Sequence, residues 1–235
     1  MEKLIILLTI LTPFFLGAQT SEIEKSYINK LFKDDPSTKT KAVTFNNLLN
    51  KGVYPNLPYD TLTKKVEWKH VFYFEGMKKK DIYNRVKEWS ARNFRSFDAV
   101  ADYDDYESGK FMVKGFFNLP LSFKYNTLFF QGKGSIAIKC FSIYVFTIKD
   151  NALKLEVVRA ENEISTEGYL IGSTYTPSST TRGSIMNTFP LFRQPENLWE
   201  GYMEFYNQMN NEFNLTFDDV EKYIREYKED YNFGK

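Results

Sequence analysis

SIAIKCFSIYVFTIKDNALKLEVVRAENEI, Ser135 to Ile164, is the stretch that decides the fold. Ser135–Lys149 reads as a long strand and Ala152–Ile164 as its partner. Asp150-Asn151 between them is a two-residue turn of the kind that tolerates positive φ. Pairing across it sets Ile148 opposite Leu153, Phe146 opposite Leu155 and Tyr144 opposite Val157. Three apolar pairs on one face predict an antiparallel hairpin with one side turned to a core.

Upstream, Val66, Trp68, His70, Phe72 and Phe74 alternate with Glu67, Lys69, Val71, Tyr73 and Glu75. That is the period of a half-buried strand, and Gly76 ends it. Lys78 to Phe94 then reads as a helix. Ile82, Val86, Trp89 and Asn93 share its face, with Tyr83 and Phe94 at the margins. Asp81 near its start suits the helix dipole. Phe97–Tyr103 is a second strand, Asp104–Gly109 a turn and Lys110–Phe117 a third strand. Asn118–Gly134 reads as an aromatic and Gly-rich connection.

Downstream, Ser165–Pro195 reads as a long loop rich in Ser, Thr and Gly. Pro195 suits the first turn of a helix running to about Phe213. Thr216 is placed to cap a separate last helix, with Asp218 and Asp219 in its first turn. Ser21–Phe32 fits a short helix. The polar Lys33–Lys65 run, broken by Pro36, Pro55 and Pro58, reads as irregular extension. The expected fold class is α+β: an antiparallel sheet of about five strands in the order β-α-β-β-β-β-α. An N-terminal arm (19–65) and an extra C-terminal helix flank it, and residues 66–235 form the main domain.

This order and its residues resemble a secreted Bacteroidota family, domain of unknown function 4468, with a TATA-box-binding-protein-like fold. The matching features are the strand ending in Gly76, Ile82-Tyr83 and Trp89 on the helix, and Val100 and Asp102 on the next strand. Gly109, Lys114-Gly115 and the hairpin around Asp150-Asn151 complete the pattern. The resemblance implies the fold and supplies no catalytic residue. DNA binding does not follow from the fold name.

Met1–Thr20 reads as an export signal. Glu2 and Lys3 precede the apolar run Leu4–Leu11, Pro13 breaks it, and Leu16-Gly17-Ala18 offers a small-residue cleavage site. The run is shorter than the roughly 20 apolar residues that span a bilayer. Cleavage after residue 18 leaves 217 residues. No cysteine stands at the end of the signal for lipid attachment, and no later stretch is long and apolar enough to cross a membrane. The expected location is the periplasm or the medium.

Composition narrows function by exclusion. The 31 basic and 30 acidic residues give a net charge of +1, so no excess exists to neutralise phosphates and nucleic acid is not an expected partner. Aromatics make up 17% of the chain, either as a stacking surface or as core payload under AT-rich codon usage. The core reading is preferred. Cys140 is the sole cysteine, so no internal disulfide forms.

His70 is the sole histidine. It is a candidate base or ligand, but its place between Trp68 and Phe72 favours a packed, hydrogen-bonded ring. Cys140 shares a strand face with Ile138, Ser142 and Tyr144 and reads as a small buried hydrophobe. Asp102, Asp104, Asp105 and Glu107 offer oxygen ligands for a hard cation, yet their spacing is that of a hairpin turn. No catalytic residue, metal or cofactor is expected. The candidate partner-binding residues are Tyr169, Thr174, Tyr175 and Arg182 in the long loop, for an envelope protein or small ligand. The expected function is a non-catalytic binding module. A carboxylate-based hydrolase and a structural envelope protein are the alternatives.

Overall fold

The protein is described from a computed structural model. It describes residues 24–25, 28, 39–51, 54–55, 57–60, 65–94, 101–126, 131–166, 169–171, 174–176, 179–184 and 191–226. The export signal lies outside them. The elements are α1 (Lys39–Asn50), β1 (Tyr59–Asp60), β2 (Lys65–Val66), β3 (Trp68–Tyr73), α2 (Lys79–Asn93), β4 (Ala101–Asp105) and β5 (Lys110–Asn126). Next come β6 (Gln131–Lys149), β7 (Ala152–Thr166), β8 (Tyr169–Ile171), β9 (Thr174–Thr176), β10 (Ser179–Ser184) and α3 (Trp199–Glu226). The main sheet has the order β10-β7-β6-β5-β4, with β3 also paired to β7. β1–β2 and β8–β9 are separate two-stranded ladders.

Tertiary contacts divide the chain into two compact units. One holds Trp68–Phe117, Cys140–Glu161 and Asn211–Lys235. Within it the order is strand, helix, four strands and helix, as the periodicity predicts. The hairpin alternates as expected: Tyr144, Phe146, Ile148, Leu153, Leu155 and Val157 are all buried. β3 joins β7 antiparallel, from Trp68 opposite Val157 to Tyr73 opposite Ala152. α2 buries Ile82, Tyr83, Val86, Trp89 and Ser90. Trp89 stacks edgewise on Phe146, and Tyr83 on Phe111. From α3, Phe213 meets Trp68, Phe117 and Tyr144. The Trp89 indole N–H donates to Asp219 at 2.7 Å, which satisfies a buried donor between two helices.

The turns of this unit are zipped to one another. Asn151 stands at φ 60° and lends its carbonyl to the Phe74 N–H at 2.8 Å. Its own N–H donates to the Met77 carbonyl at 2.9 Å. Asp150 Oδ1 accepts the Lys79 N–H at 2.8 Å. Lys78, the residue before α2, offers no side-chain cap. A hairpin turn 71 residues away therefore caps the helix. Gly109 has φ +68°, and a Cβ there would lie 2.3 Å from the Ile148 carbonyl oxygen. Only glycine meets both demands.

The other unit holds Met1–Glu67, Asn118–Lys139 and Asn162–Asn210. Its core is aromatic. Phe45 of α1 sits edgewise on Phe192 and Trp199, which are themselves stacked 5.6 Å apart. Glu24 is fully buried among these elements. It accepts hydrogen bonds from Tyr54 at 2.8 Å, from the Leu191 N–H, and from the Phe192 N–H at 3.4 Å. The carboxylate thus caps the 3₁₀ turn Leu191–Arg193 from far upstream.

Five expectations are corrected. The polar Lys33–Lys65 run is not simply irregular extension: it carries α1, β1 and the first residue of β2. Asn118–Gly134 is mostly strand, because β5 runs on through Pro120 to Asn126 and β6 starts at Gln131. Ser165–Pro195 is no structureless loop: it carries β8, β9 and β10, and β10 adds to the main sheet beside β7. Thr is a β-branched strand former, which offsets the turn signal of Ser and Gly. The two C-terminal helices are one helix of 28 residues. Thr216 lies inside it and donates to the Glu212 carbonyl at 2.8 Å, so it is not a cap. Finally, Asn93 is exposed whereas Tyr83 is buried, so the apolar face of α2 is rotated toward Tyr83.

Candidate functional site

The acidic turn is occupied by its own hydrogen bonds. Asp104 accepts the Tyr83 hydroxyl and pairs with Lys87 at 2.6 Å. Partial burial opposes its ionisation, but the hydrogen bonds from Lys87 and Tyr83 outweigh that and hold its carboxyl below the usual range. Asp105 is lowered by hydrogen bonds from Ser108, Tyr103 and the Glu107 backbone. Its Oδ1 accepts the Glu107 N–H at 3.0 Å and the Ser108 N–H at 3.2 Å, the pattern of an Asx turn. Among the described residues no group of three or more His, Cys, Asp or Glu is placed to hold a metal. The side chain of Asp102 lies outside the described residues.

His70 is exposed rather than packed, which corrects its expected burial. It shares a face with Trp68 and Phe72, and its ring lies 4.5 Å from Phe72. β3 pairs only with β7 in the described sheet, so the middle of this edge strand is left open. Cys140 is buried, and burial pushes its thiol up to about 12. It is inert as a nucleophile at neutral pH.

The loop candidates fall on strands. Tyr169 begins β8, and Thr174 and Tyr175 lie on β9. The register sets Tyr169 opposite Thr176, Tyr175 opposite Leu170 and Thr174 opposite Ile171. Arg182 is exposed on β10. β8–β9 is a separate ladder from the sheet that holds β10, so the residues are divided between two sheets. The side chains of Tyr169, Thr174 and Tyr175 lie outside the described residues.

Two further features carry surface chemistry. The first is the outer face of the Trp68–Phe117, Cys140–Glu161 part of the sheet. The ring contacts of α2 and α3 fall on even-numbered β6 residues, Tyr144 and Phe146. Odd-numbered Ile143, Val145 and Thr147 point the other way and are only half-buried. Beside them lie Met112 on β5, Val158 on β7, and Val71 and Tyr73 on β3. Val158 is 59% exposed, Tyr73 71% and Val71 41%. The charges on this face are partly self-compensated, with Lys154 paired to Glu156 at 2.7 Å. The alternating period foretells both faces of β6 but carries no sign of a role for the outer one.

The second is a cleft of about 110 Å³ among Asn118–Lys139 and Asn162–Asn210, between β5, β6 and the start of α3. Phe123, Lys133, Asn197 and Glu204 line it. Its walls come from strand residues that read as a connection, so no sequence signal pointed there.

An antiparallel sheet with helices packed on it defines an α+β protein. Residues 68–161 match the family described as a domain of unknown function (DUF4468) with TBP-like fold, TBP being the TATA-box-binding protein. Two solved structures are similar. One is a TBP-like protein from Parabacteroides distasonis, 14% identical with a TM-score of 0.41, covering 70% of this chain and 95% of that one. The other is a DUF4468 family protein from Bacteroides ovatus, 11% identical with a TM-score of 0.44, covering 70% of this chain and 89% of that one. No curated protein matches the chain at a significant level. No helix among the described residues is long and apolar enough to cross a membrane.

Proposed function

We propose that this chain is an exported, non-catalytic interaction module that docks an envelope protein on the outer face of its sheet. The observation that carries the reading is the apolar strip of Val71, Tyr73, Met112, Ile143, Val145 and Val158, which ranges from half-buried to exposed. A sheet face is broad, whereas small-molecule sites are concave. Protein partners bury roughly 800 Å² per side, with an apolar centre and a polar rim. Lys69, Lys154 and Glu156 supply charges beside the strip. The Asp104 and Asp105 carboxylates are engaged in holding α2 and the turn itself, so among the described residues this acidic cluster gives the hydrolase reading no support.

Export is supported by the apolar run and small-residue exit of Met1–Ala18. N-terminal sequencing of the mature chain should begin near Gln19. Intact Met1 on protein from the cytosol would remove export from the reading. For the docking face, a photo-crosslinking residue is placed at Val145, at Val158 or, as a control, at exposed Lys222. In cells, the first two should give adducts of one mass and the control none. Val158→Glu should erase the Val145 adduct while the protein remains folded. Equal adducts from Lys222, or none from the strip in correctly located protein, would overturn the assignment.

A further inference from the structure

We infer that the cleft between β5, β6 and the start of α3 binds a small zwitterion of amino-acid size. Two glycines shape it. A Cβ on Gly201 would lie 1.7 Å from the Ser122 carbonyl oxygen, so α3 rests directly on the β5 backbone there. A Cβ on Gly134 would lie 2.6 Å from the Phe123 ring, so that ring lies close against β6. Glycines inside a strand and a helix mark such close approaches. Phe123 thereby becomes an apolar wall.

The charges around this wall are divided. Lys124 and Glu200 neutralise one another at 2.6 Å. Asn197, which also lines the cleft, donates its amide to the Lys124 carbonyl at 3.0 Å and steadies that rim. Among the described residues, the Lys133 side chain has no hydrogen bond or ion pair, and the Glu204 carboxylate has only a 3.4 Å contact with Gln208. One cation on β6 and one anion on α3 therefore line the same cleft uncompensated by each other's neighbours. A ligand carrying both an ammonium and a carboxylate answers both; a singly charged ligand leaves one unmet. The volume of about 110 Å³ is room for roughly three to four waters at about 30 Å³ each, the size of a small amino acid.

The site is independent of the outer sheet face and of export. The full chain is titrated with L-alanine, followed by amide chemical shifts. Acetate and ethylammonium serve as singly charged controls. L-Alanine should shift Lys133, Gly134, Asn197 and Gly201 saturably, at roughly millimolar concentration, as suits a small ligand at an open site. The two controls should need at least about tenfold more, the loss of one charged contact. Lys133→Met and Glu204→Gln should each weaken L-alanine binding about tenfold with an otherwise unchanged spectrum. Lys222→Ala should leave it unchanged. No saturable shift with L-alanine, equal shifts with acetate, or binding unaffected by both cleft variants would each overturn the inference.

Discussion

At the scale of single residues, the decisive positions are those where space or solvation admits one side chain. Gly201 lies within a helix, where alanine ordinarily gains about 1 kcal/mol over glycine. Here that gain is overridden, because the new methyl would meet backbone at 1.7 Å rather than a flexible side chain. Gly201→Ala should therefore destabilise by roughly 1–3 kcal/mol, the usual cost of overpacking. A chemical denaturation curve that moves toward greater stability would show that α3 does not rest on β5. Glu24 is decided by solvation. Burial raises its pKa above 4.5, partly offset by hydrogen bonds from Tyr54, Leu191 and Phe192 and by the Arg193 charge. The folded chain thus holds this proton more tightly than the unfolded chain. Its contribution to stability is complete below pH 4.5 and is lost as pH rises through the raised folded value. Glu24→Gln removes that dependence. Melting temperatures of the two proteins should converge or cross between pH 4 and 8; parallel profiles would refute the linkage.

At the scale of elements, the caps separate what was legible from what was not. Asp150 caps α2 from the hairpin turn, and Asp150→Ala should cost about 1 kcal/mol through loss of that cap. Thr216→Ala removes no cap, only a hydroxyl shared between the Glu212 carbonyl and the Tyr144 hydroxyl inside a continuous helix, and should cost less than Asp150→Ala. Equal losses in the two variants would restore a helix boundary at Thr216. The hairpin was legible because period-two alternation persists on both sides of Asp150-Asn151. The single α3 was not, because Asn210, Asn211 and Asn214 are weak helix formers and Thr216 is a good cap type. What keeps the helix whole is burial of Met209, Phe213, Phe217, Val220 and Ile224 along one stripe. β5 was cut short in the sequence at Phe117 because the aromatic and Gly-rich run Asn118–Gly134 reads as a connection. β10 was missed because Gly183 and the surrounding hydroxyls read as loop. Of the site, the charged turn was legible and its self-sufficiency was not. Glu24 gave no signal at all, since its partners lie 30 and 167 residues away.

At the scale of the whole molecule, the pairing of β3 with β7 has a kinetic consequence. Trp68 meets Val157 and Tyr73 meets Ala152 across most of the domain's sequence, while β6 and β7 are joined by two residues. Long closures are entropically costly and slow, whereas hairpins form within microseconds. During refolding, amide protons of the β6–β7 hairpin should gain protection before those of β3, as pulsed hydrogen exchange would record. Earlier protection of β3 would reverse that order. In the interval the β7 edge is an open template for any extended strand that reaches it first. A β3 from a neighbouring chain has the same sequence and the same register preference. Concentrated refolding should therefore yield strand-exchanged dimers that dilute refolding does not, and slow dissociation of those dimers would identify β3 as the exchanged piece.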